Sequence, residues 1–179
     1  MKKIYKATFL SKRFFQILIA LVLLFILAFF FERLQGYLVM GFFILCGLLL
    51  VDLFLLYRSK NGVDASRVLP DKFSNGDENP VEIKLRNNYG FKAYYRIIDE
   101  LPIQFQVRDF KIEKELSASQ ATTMMYTARP VERGEFHFGS LNVFVKSGIG
   151  LVWRKYIFDH NAMVPNYPSF LQMRKYELM

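Results

Sequence analysis

The chain has 179 residues and a formal net charge of +8, with six basic and two acidic residues before Arg58 and 18 against 14 from there on. Hydrophobic residues make up 53% of the chain and are concentrated between Phe14 and Tyr57. The single cysteine, Cys46, excludes a disulfide framework and a cysteine-based zinc site. The basic residues form no dense stripe of the kind that nucleic-acid-binding proteins carry.

The first apolar segment, Phe14–Phe31, has one polar residue in 18. That is about the minimum length for a helix that crosses a hydrocarbon core of ~30 Å. Basic residues precede it, as in a signal peptide, but its apolar core is longer than the usual core of about 7–15 residues. Bulky residues, Phe29–Arg33, stand where a small-residue cleavage site would be. The sequence therefore predicts a retained membrane span.

A second apolar segment, Gly36–Tyr57, follows after a link of four residues, Glu32–Gln35. Such a short link joins antiparallel helices, so residues 14–57 are predicted to form a two-helix transmembrane hairpin with spans 14–31 and 36–57. Lysine and arginine flank the outer ends of both segments, whereas the link holds only Arg33. The positive-inside rule then predicts a multi-pass protein with both termini, including the basic residues 1–13, in the cytoplasm.

Asp52 is the one acidic residue inside these two segments. A carboxylate within a membrane is a candidate functional group. Asp52, however, precedes Tyr57 by five residues, about 7–8 Å of helix rise, so we expect its side chain to reach headgroup water. A role in substrate binding is the alternative. Cys46 and the glycines of the second segment are interpreted as helix-packing residues.

The remaining part, residues 58–168, alternates between apolar and polar side chains and contains no sustained helical period. About eight or nine short strands with turns between them predict an antiparallel β-sandwich of immunoglobulin-like type. An irregular segment, Val63–Asn79, is interpreted as a lead strand and a loop. The predicted strand segments are Val81–Arg86, Lys92–Asp99, Ile103–Arg108, Phe110–Leu116, Ala121–Ala128, Arg133–Phe138, Leu141–Val145, Leu151–Phe158 and Ala162–Tyr167.

The sequence predicts no catalytic residue, no cofactor site and no metal site. His137 is interpreted as an exposed strand residue and His160 as part of a turn, and two histidines without spaced carboxylates or cysteines do not make a zinc site. The neighbours Asp99 and Glu100 point to opposite faces of a strand and are interpreted as solvated strand-end charges. Gly148–Gly150 is predicted to be a turn, because a phosphate-binding loop would open a helix.

Two further expectations concern the strands themselves. Gly134 is predicted to occupy a turn or bulge that tolerates a Cβ atom poorly. The aromatic residues are interpreted as sandwich core and cross-strand pairs rather than as a base-stacking surface. They are Tyr94, Tyr95, Phe136, Phe138, Phe144, Trp153 and Tyr156.

The order of several short motifs resembles the N-terminal half of the bacterial "domain of unknown function 58" membrane protein family. The motif segments are Asp99–Pro102, Arg129-Pro130, Arg133–Gly139, Gly150-Leu151 and Asn166–Pro168. The family has an Asp-Pro pair before Gly-Leu, which Lys146–Leu151 lacks. It also continues into a von Willebrand factor A-like domain, so residues 169–179 are interpreted as the start of a truncated following region.

The resemblance implies association with MoxR-type AAA+ ATPases and von Willebrand A-like proteins in chaperone or envelope-maintenance systems. It implies no catalytic or metal-binding residue for this chain. We therefore expect a non-enzymatic anchor of the bacterial inner membrane with a cytoplasmic interaction module. The alternatives are a fragment of a transporter or envelope enzyme, in which Asp52 or a sandwich surface binds substrate, and an extracytoplasmic adhesion sandwich with inverted topology.

Overall fold

The computed structural model describes residues 7–107, 109–158 and 161–167. Two helices, α1 (Lys12–Ala28) and α2 (Glu32–Arg58), lie between a short first strand and ten further strands. The strands are β1 (Thr8–Leu10), β2 (Val63–Val68), β3 (Phe73–Ser74), β4 (Asn79–Asn87), β5 (Ala93–Asp99), β6 (Ile112–Leu116), β7 (Ala121–Ala128), β8 (Gly134–Phe138), β9 (Leu141–Lys146), β10 (Val152–Phe158) and β11 (Ala162–Tyr167).

The prediction of a two-helix transmembrane hairpin, and with it of a multi-pass protein, is wrong. Among the described residues only one helix, Leu34–Arg58, is long and apolar enough to cross a membrane. The apolar part of the other helix, α1, is Phe14–Ala28, whose 15 residues rise about 22 Å and fall well short of a hydrocarbon core of ~30 Å. Helix α1 begins at Lys12, so two residues of its first turn, Lys12 and Arg13, are basic.

The link between the helices also lies earlier than predicted. Glu32–Gln35 is part of α2, and the chain reverses over Phe29–Phe31 instead. The backbone N–H groups of these three residues donate to carbonyls three residues back, at 3.1–3.3 Å. A last turn tightened in this way satisfies carbonyls that have no partner further along the helix.

The predicted β-sandwich is present. One sheet has five antiparallel strands in the order β1-β10-β9-β5-β6, and a second has three in the order β2-β4-β7. A further three-stranded sheet, β3-β11-β8, contains one parallel pair, β3 with β11. Alternation along β4 places Val81, Ile83 and Leu85 in the interior, as expected for a strand with one covered face.

The larger hydrophobic core lies between the five-stranded sheet and the β2-β4-β7 sheet. It contains residues of both sheets and also Leu45 and Leu56 of α2. The smaller core joins the third sheet to the ends of β4 and β7 around Phe73, Phe136 and Phe138. The C-terminal part of α2 thus packs into the sandwich and is not merely connected to it by a linker.

Two other expectations are corrected. The predicted N-terminal segment, residues 1–13, contributes Thr8–Leu10 as an edge strand that pairs with Val152–Arg154. Ile103–Phe105 is a 3-10 helix, not a strand. The predicted truncated region, residues 169–179, lies outside the described residues.

Candidate functional site at the helix–sheet junction

Asp52 lies in the part of α2 that packs against the sandwich, and its side chain is fully buried. Its Oδ1 accepts a hydrogen bond from the Ser147 hydroxyl. Its Oδ2 accepts from the backbone N–H groups of Leu151 and Val152, at 2.8 and 3.0 Å. The expectation that Asp52 reaches headgroup water is therefore wrong, because its carboxylate receives three hydrogen bonds from the sandwich.

The segment Ser147–Val152, called the junction loop here, is held from its other side by the start of α1. The backbone N–H of Ser11 donates to the carbonyl of Leu151 at 2.8 Å, and the Ser11 hydroxyl donates to the carbonyl of Gly150 at 2.6 Å. The same hydroxyl accepts from the N–H of Phe14 and caps α1. One loop thus contacts the beginning of α1 and Asp52 of α2.

Gly150 is required at its place in the junction loop. Its φ of 72° is in the left-handed region, which favours glycine. A Cβ atom there would also lie 3.2 Å from the guanidinium of Arg13. The predicted turn at Gly148–Gly150 is confirmed, and it serves as the contact between helices and sheet.

Arg154 of β10 binds the C-terminal end of α2. Its guanidinium donates to the carbonyls of Leu56, Ser59 and Lys60. It also lies 4.4 Å from the ring centroid of Tyr57. A fixed positive charge at this end of a helix complements the helix dipole and satisfies carbonyls that lack a helical partner.

Tyr89 adds a second donor to the same helix end. Its hydroxyl donates to the carbonyl of Leu56 at 2.9 Å and lies 2.8 Å from the hydroxyl of Tyr156. Because the Tyr89 hydroxyl has one proton, Tyr156 is the donor between the two rings. Burial raises the pKa of Tyr89 far above its usual value. The pair therefore remains protonated and bound to the helix at physiological pH.

A buried cluster links the two main sheets away from the junction. Arg67 of β2 forms an ion pair with Asp99 of β5, and both side chains are inaccessible to solvent. The Tyr126 hydroxyl donates to the other Asp99 oxygen at 2.6 Å, and Arg67 also donates to the carbonyl of Gly139 at 3.0 Å. The prediction that Asp99 is a solvated strand-end charge is wrong.

Glu100, the other member of the acidic pair, lies near solvent but has partners. Its carboxylate accepts from the backbone N–H of Ser140 at 2.9 Å and from the amide of Asn142 at 2.7 Å. These two hydrogen bonds, the one from Ser140 first, lower the pKa of Glu100. Asp99 therefore connects the two main sheets, whereas Glu100 connects the end of β5 to β9, and the two do not share a site.

The remaining candidates are dispersed. His137 is exposed on β8, as predicted, with its Nε2 3.4 Å from a carboxylate oxygen of Glu135. Cys46 is half-buried in α2 and is not in a disulfide. The second histidine, His160, lies outside the described residues. Within residues 7–107, 109–158 and 161–167, no group of three or more His, Cys, Asp and Glu side chains is arranged to hold a metal ion.

Sequence analysis missed the partners of Asp52, namely Ser147 and the two backbone N–H groups. The signal that could have found them is Asp52 itself, since a carboxylate in an apolar segment needs donors. Ser11, Lys12 and Arg13 before the first apolar segment are a further signal, because a helix that begins at a serine cap has a fixed starting point.

No protein-family model matches the chain, and no curated protein matches it. Among solved structures, the PapD-like domain 7 of human CEP192 is 11% identical, with a TM-score of 0.44 over 60% of this chain and 87% of that one. The CARDB domain of a Pyrococcus furiosus protein, solved with two metal ions, is 11% identical, with a TM-score of 0.39 over 59% and 87%. A β-glucosidase from Listeria innocua is 15% identical, with a TM-score of 0.32 over 59% and 16%. Likenesses at these TM-scores carry no argument about function.

Proposed function

We propose that this chain is a non-enzymatic membrane anchor that holds a β-sandwich in a fixed orientation at the membrane surface, as an interaction module. The observation that carries the proposal is the junction. Asp52 and Arg154 connect α2 to the sandwich by hydrogen bonds to the backbone. Buried, fully hydrogen-bonded polar contacts of this kind rigidify a connection, whereas a module that only needs tethering can use a flexible linker.

The outer surfaces of both helices support contact with lipid. Large apolar side chains are exposed along α1 and α2, and Phe29 and Phe30 at the reversal are more than 70% exposed. A contiguous exposed apolar surface of this extent marks a membrane or protein contact. Together with the length of α2, it favours the membrane.

We place the sandwich on the cytoplasmic side. Arg58 ends α2 and Lys60 follows two residues later, and basic residues at the end of a span favour the cytoplasm. Strand β1 pairs with β10, so the residues just before α1 are joined to the sandwich. The bacterial inner membrane is the matching location for the family that the motifs resemble.

We also propose membership of the "domain of unknown function 58" family and a MoxR-type AAA+ ATPase as the partner. Two of the motif segments that support this lie together, because the N–H of Gly139 donates to the carbonyl of Glu100 at 2.8 Å. A Cβ atom on Gly139 would lie 2.7 Å from the Cβ atom of Glu100. This close approach is a physical reason for glycine at the end of that motif.

The proposal is tested with the full chain expressed in bacteria. We expect it to resist carbonate extraction from membranes, its sandwich to be cleaved by protease only in inverted vesicles, and an AAA+ ATPase to be retained by it in detergent. Cleavage in right-side-out vesicles would overturn the orientation. Loss of membrane association would overturn the anchor, and absence of an AAA+ ATPase among the retained proteins would overturn the partner.

A further inference from the structure

A group of cations and aromatic rings lies on the outer face of the five-stranded sheet, beside the junction loop. The ammonium group of Lys146 is 5.0 Å from the ring centroid of Trp153 and 5.1 Å from that of Tyr94. The guanidinium of Arg96 is 4.8 Å from the Trp153 ring. Tyr94 of β5 and Trp153 of β10 are separated by β9, and they are not part of the sandwich core, because they face outward and carry positive charge above their rings.

These side chains line a shallow depression with a volume of about 220 Å³. Lys146 and Trp153 close one end of it, and Glu113 and Glu115 of β6 lie at the other. Glu113 forms an ion pair with Arg96, at 2.8 Å, and Glu115 forms one with Lys92 at the sheet edge. Neither carboxylate is therefore paired with Lys146.

The end of the depression next to the junction loop has an excess of positive charge. The guanidinium of Arg13, in the first turn of α1, lies beside Gly150 of the junction loop. Partial burial first, and then repulsion from Arg13 and Arg96, lower the pKa of Lys146, and Glu113 opposes this only as a weaker influence. Lys146 forms no ion pair among the described residues. A bound anion would relieve this repulsion.

The position of the junction loop indicates which anion is available. Asp52 binds the loop, so the loop lies at the level of Asp52 along α2. Residues Leu34–Val51, 18 in number, precede Asp52 in the helix and rise about 27 Å, close to a hydrocarbon core of ~30 Å. Lys146 and Trp153 flank the loop and therefore lie where lipid headgroups begin, a depth that tryptophan favours.

We propose that Arg13 and Lys146, with Trp153 beside them, bind the phosphate of an anionic phospholipid headgroup. The inference rests on the proposed membrane anchoring and adds a lipid-selective site to it. Guanidinium and ammonium groups are the side chains that bind phosphate esters. A site here would fix the depth of the sandwich at the membrane surface as well as its orientation.

The test uses the full chain in nanodiscs of phosphatidylcholine, with and without 30 mol% phosphatidylglycerol. Trp153 is the only tryptophan, so quenching of its fluorescence reports this site alone. We expect a headgroup-attached quencher on phosphatidylglycerol to quench it more than the same quencher on phosphatidylcholine. Equal quenching by the two lipids would overturn the selectivity, and stronger quenching by a label deep in the acyl chain would overturn the depth.

Lys146→Gln is the diagnostic variant, and Lys84→Gln on the exposed face of the other sheet is its matched control. A basic group near an anionic surface contributes about 1 kcal/mol. We therefore expect Lys146→Gln to lower the affinity of the chain for phosphatidylglycerol about fivefold, and Lys84→Gln to leave this affinity unchanged. Melting temperatures of both variants check the fold. Equal losses in both would mean diffuse charge attraction and would overturn the site.

Two further arms distinguish the sources of failure. Glycerol 3-phosphate, added in solution, is also a phosphate ester. If it displaces the lipid at equal concentration, the site binds a soluble ligand, and the lipid assignment is overturned. Carbonate extraction is measured in parallel. A chain that remains in the membrane but shows no lipid preference contradicts only this inference, whereas a chain that is extracted contradicts the proposed anchor.

Discussion

The Ser147 hydroxyl donates a hydrogen bond to the carboxylate of Asp52, which lies 95 residues earlier in the chain. This contact joins the candidate membrane helix to the sandwich, and both side chains are buried between the two. Because both groups are buried, the hydrogen bond is shielded from water and from salt. The orientation of the sandwich relative to the helix therefore depends on Asp52.

Asp52→Ala is expected to lower the free energy of unfolding of the sandwich by about 2–4 kcal/mol, because it leaves the N–H groups of Leu151 and Val152 buried without an acceptor. Asp52→Asn keeps one acceptor oxygen and is expected to lower it by about half as much. Urea unfolding in detergent, followed by Trp153 fluorescence, measures both. Asp71→Asn, an exposed change of the same charge, is the control. An unchanged midpoint for Asp52→Ala would show that the junction adds no stability.

Arg154→Met is expected to loosen the end of α2. It removes the donors to the carbonyls of Leu56 and Ser59, at a cost of about 1–3 kcal/mol. Hydrogen exchange of the amides between residues 55 and 62 should accelerate. Lys155→Met, at the next position of β10, is the control, because the ammonium group of Lys155 lies over the ring of Phe144 on the outer face of the sheet. Equal exchange in both variants would contradict capping by Arg154.

Glu100 makes the stability of the sandwich dependent on acid pH. Its folded pKa is lower than the ordinary value of 4.5. Its carboxylate therefore contributes stability above pH 4.5, and this contribution is lost as the pH falls through the lower folded pKa. Glu100→Gln should show a shallower loss of stability below pH 4.5 than the unmodified chain. Thermal melts between pH 3 and 7 compare them, and parallel curves would contradict the assignment.

Gly134 has a φ of 130° at the start of β8, and a Cβ atom there would meet no atom within 4 Å. The cost of a side chain is therefore conformational and not steric. Gly134→Val is expected to lower the free energy of unfolding by about 1–3 kcal/mol. Gly90→Val is the matched control, because Gly90 also has open space but no positive φ. If both variants melt at the same temperature, the backbone conformation of Gly134 has no role.

Local patterns determined most of the strands. Alternation along Ala121–Ala128 and Ala162–Tyr167 predicted both strands to the residue, because one face of each is covered and the other is not. The same rule failed at Ile103–Phe105, where the residues follow Pro102 and turn as a 3-10 helix. Strand β1 escaped prediction because three residues are too few to show a period.

The predicted pair of spans failed for a reason that concerns geometry. Apolar composition continues from Phe14 through Phe31, but the helix ends at Ala28 and the reversal takes the phenylalanines that follow. Composition is insensitive to where a helix stops. The length of α1 was therefore overestimated and the start of α2 was placed too late.

The sequence by itself determined an apolar N-terminal part, an alternating C-terminal part and the residues that make turns, because hydrophobic period and glycine conformation are local properties. Only the tertiary structure decided that Asp52 and Asp99 are buried and paired, since their donors come from segments far away in the chain. The same holds for Arg13, Arg96, Lys146 and Trp153, which strand pairing and the start of α1 bring to one end of the sheet. A carboxylate or a cation acquires its role from its neighbours in space, and those neighbours are set by the packing of the whole chain.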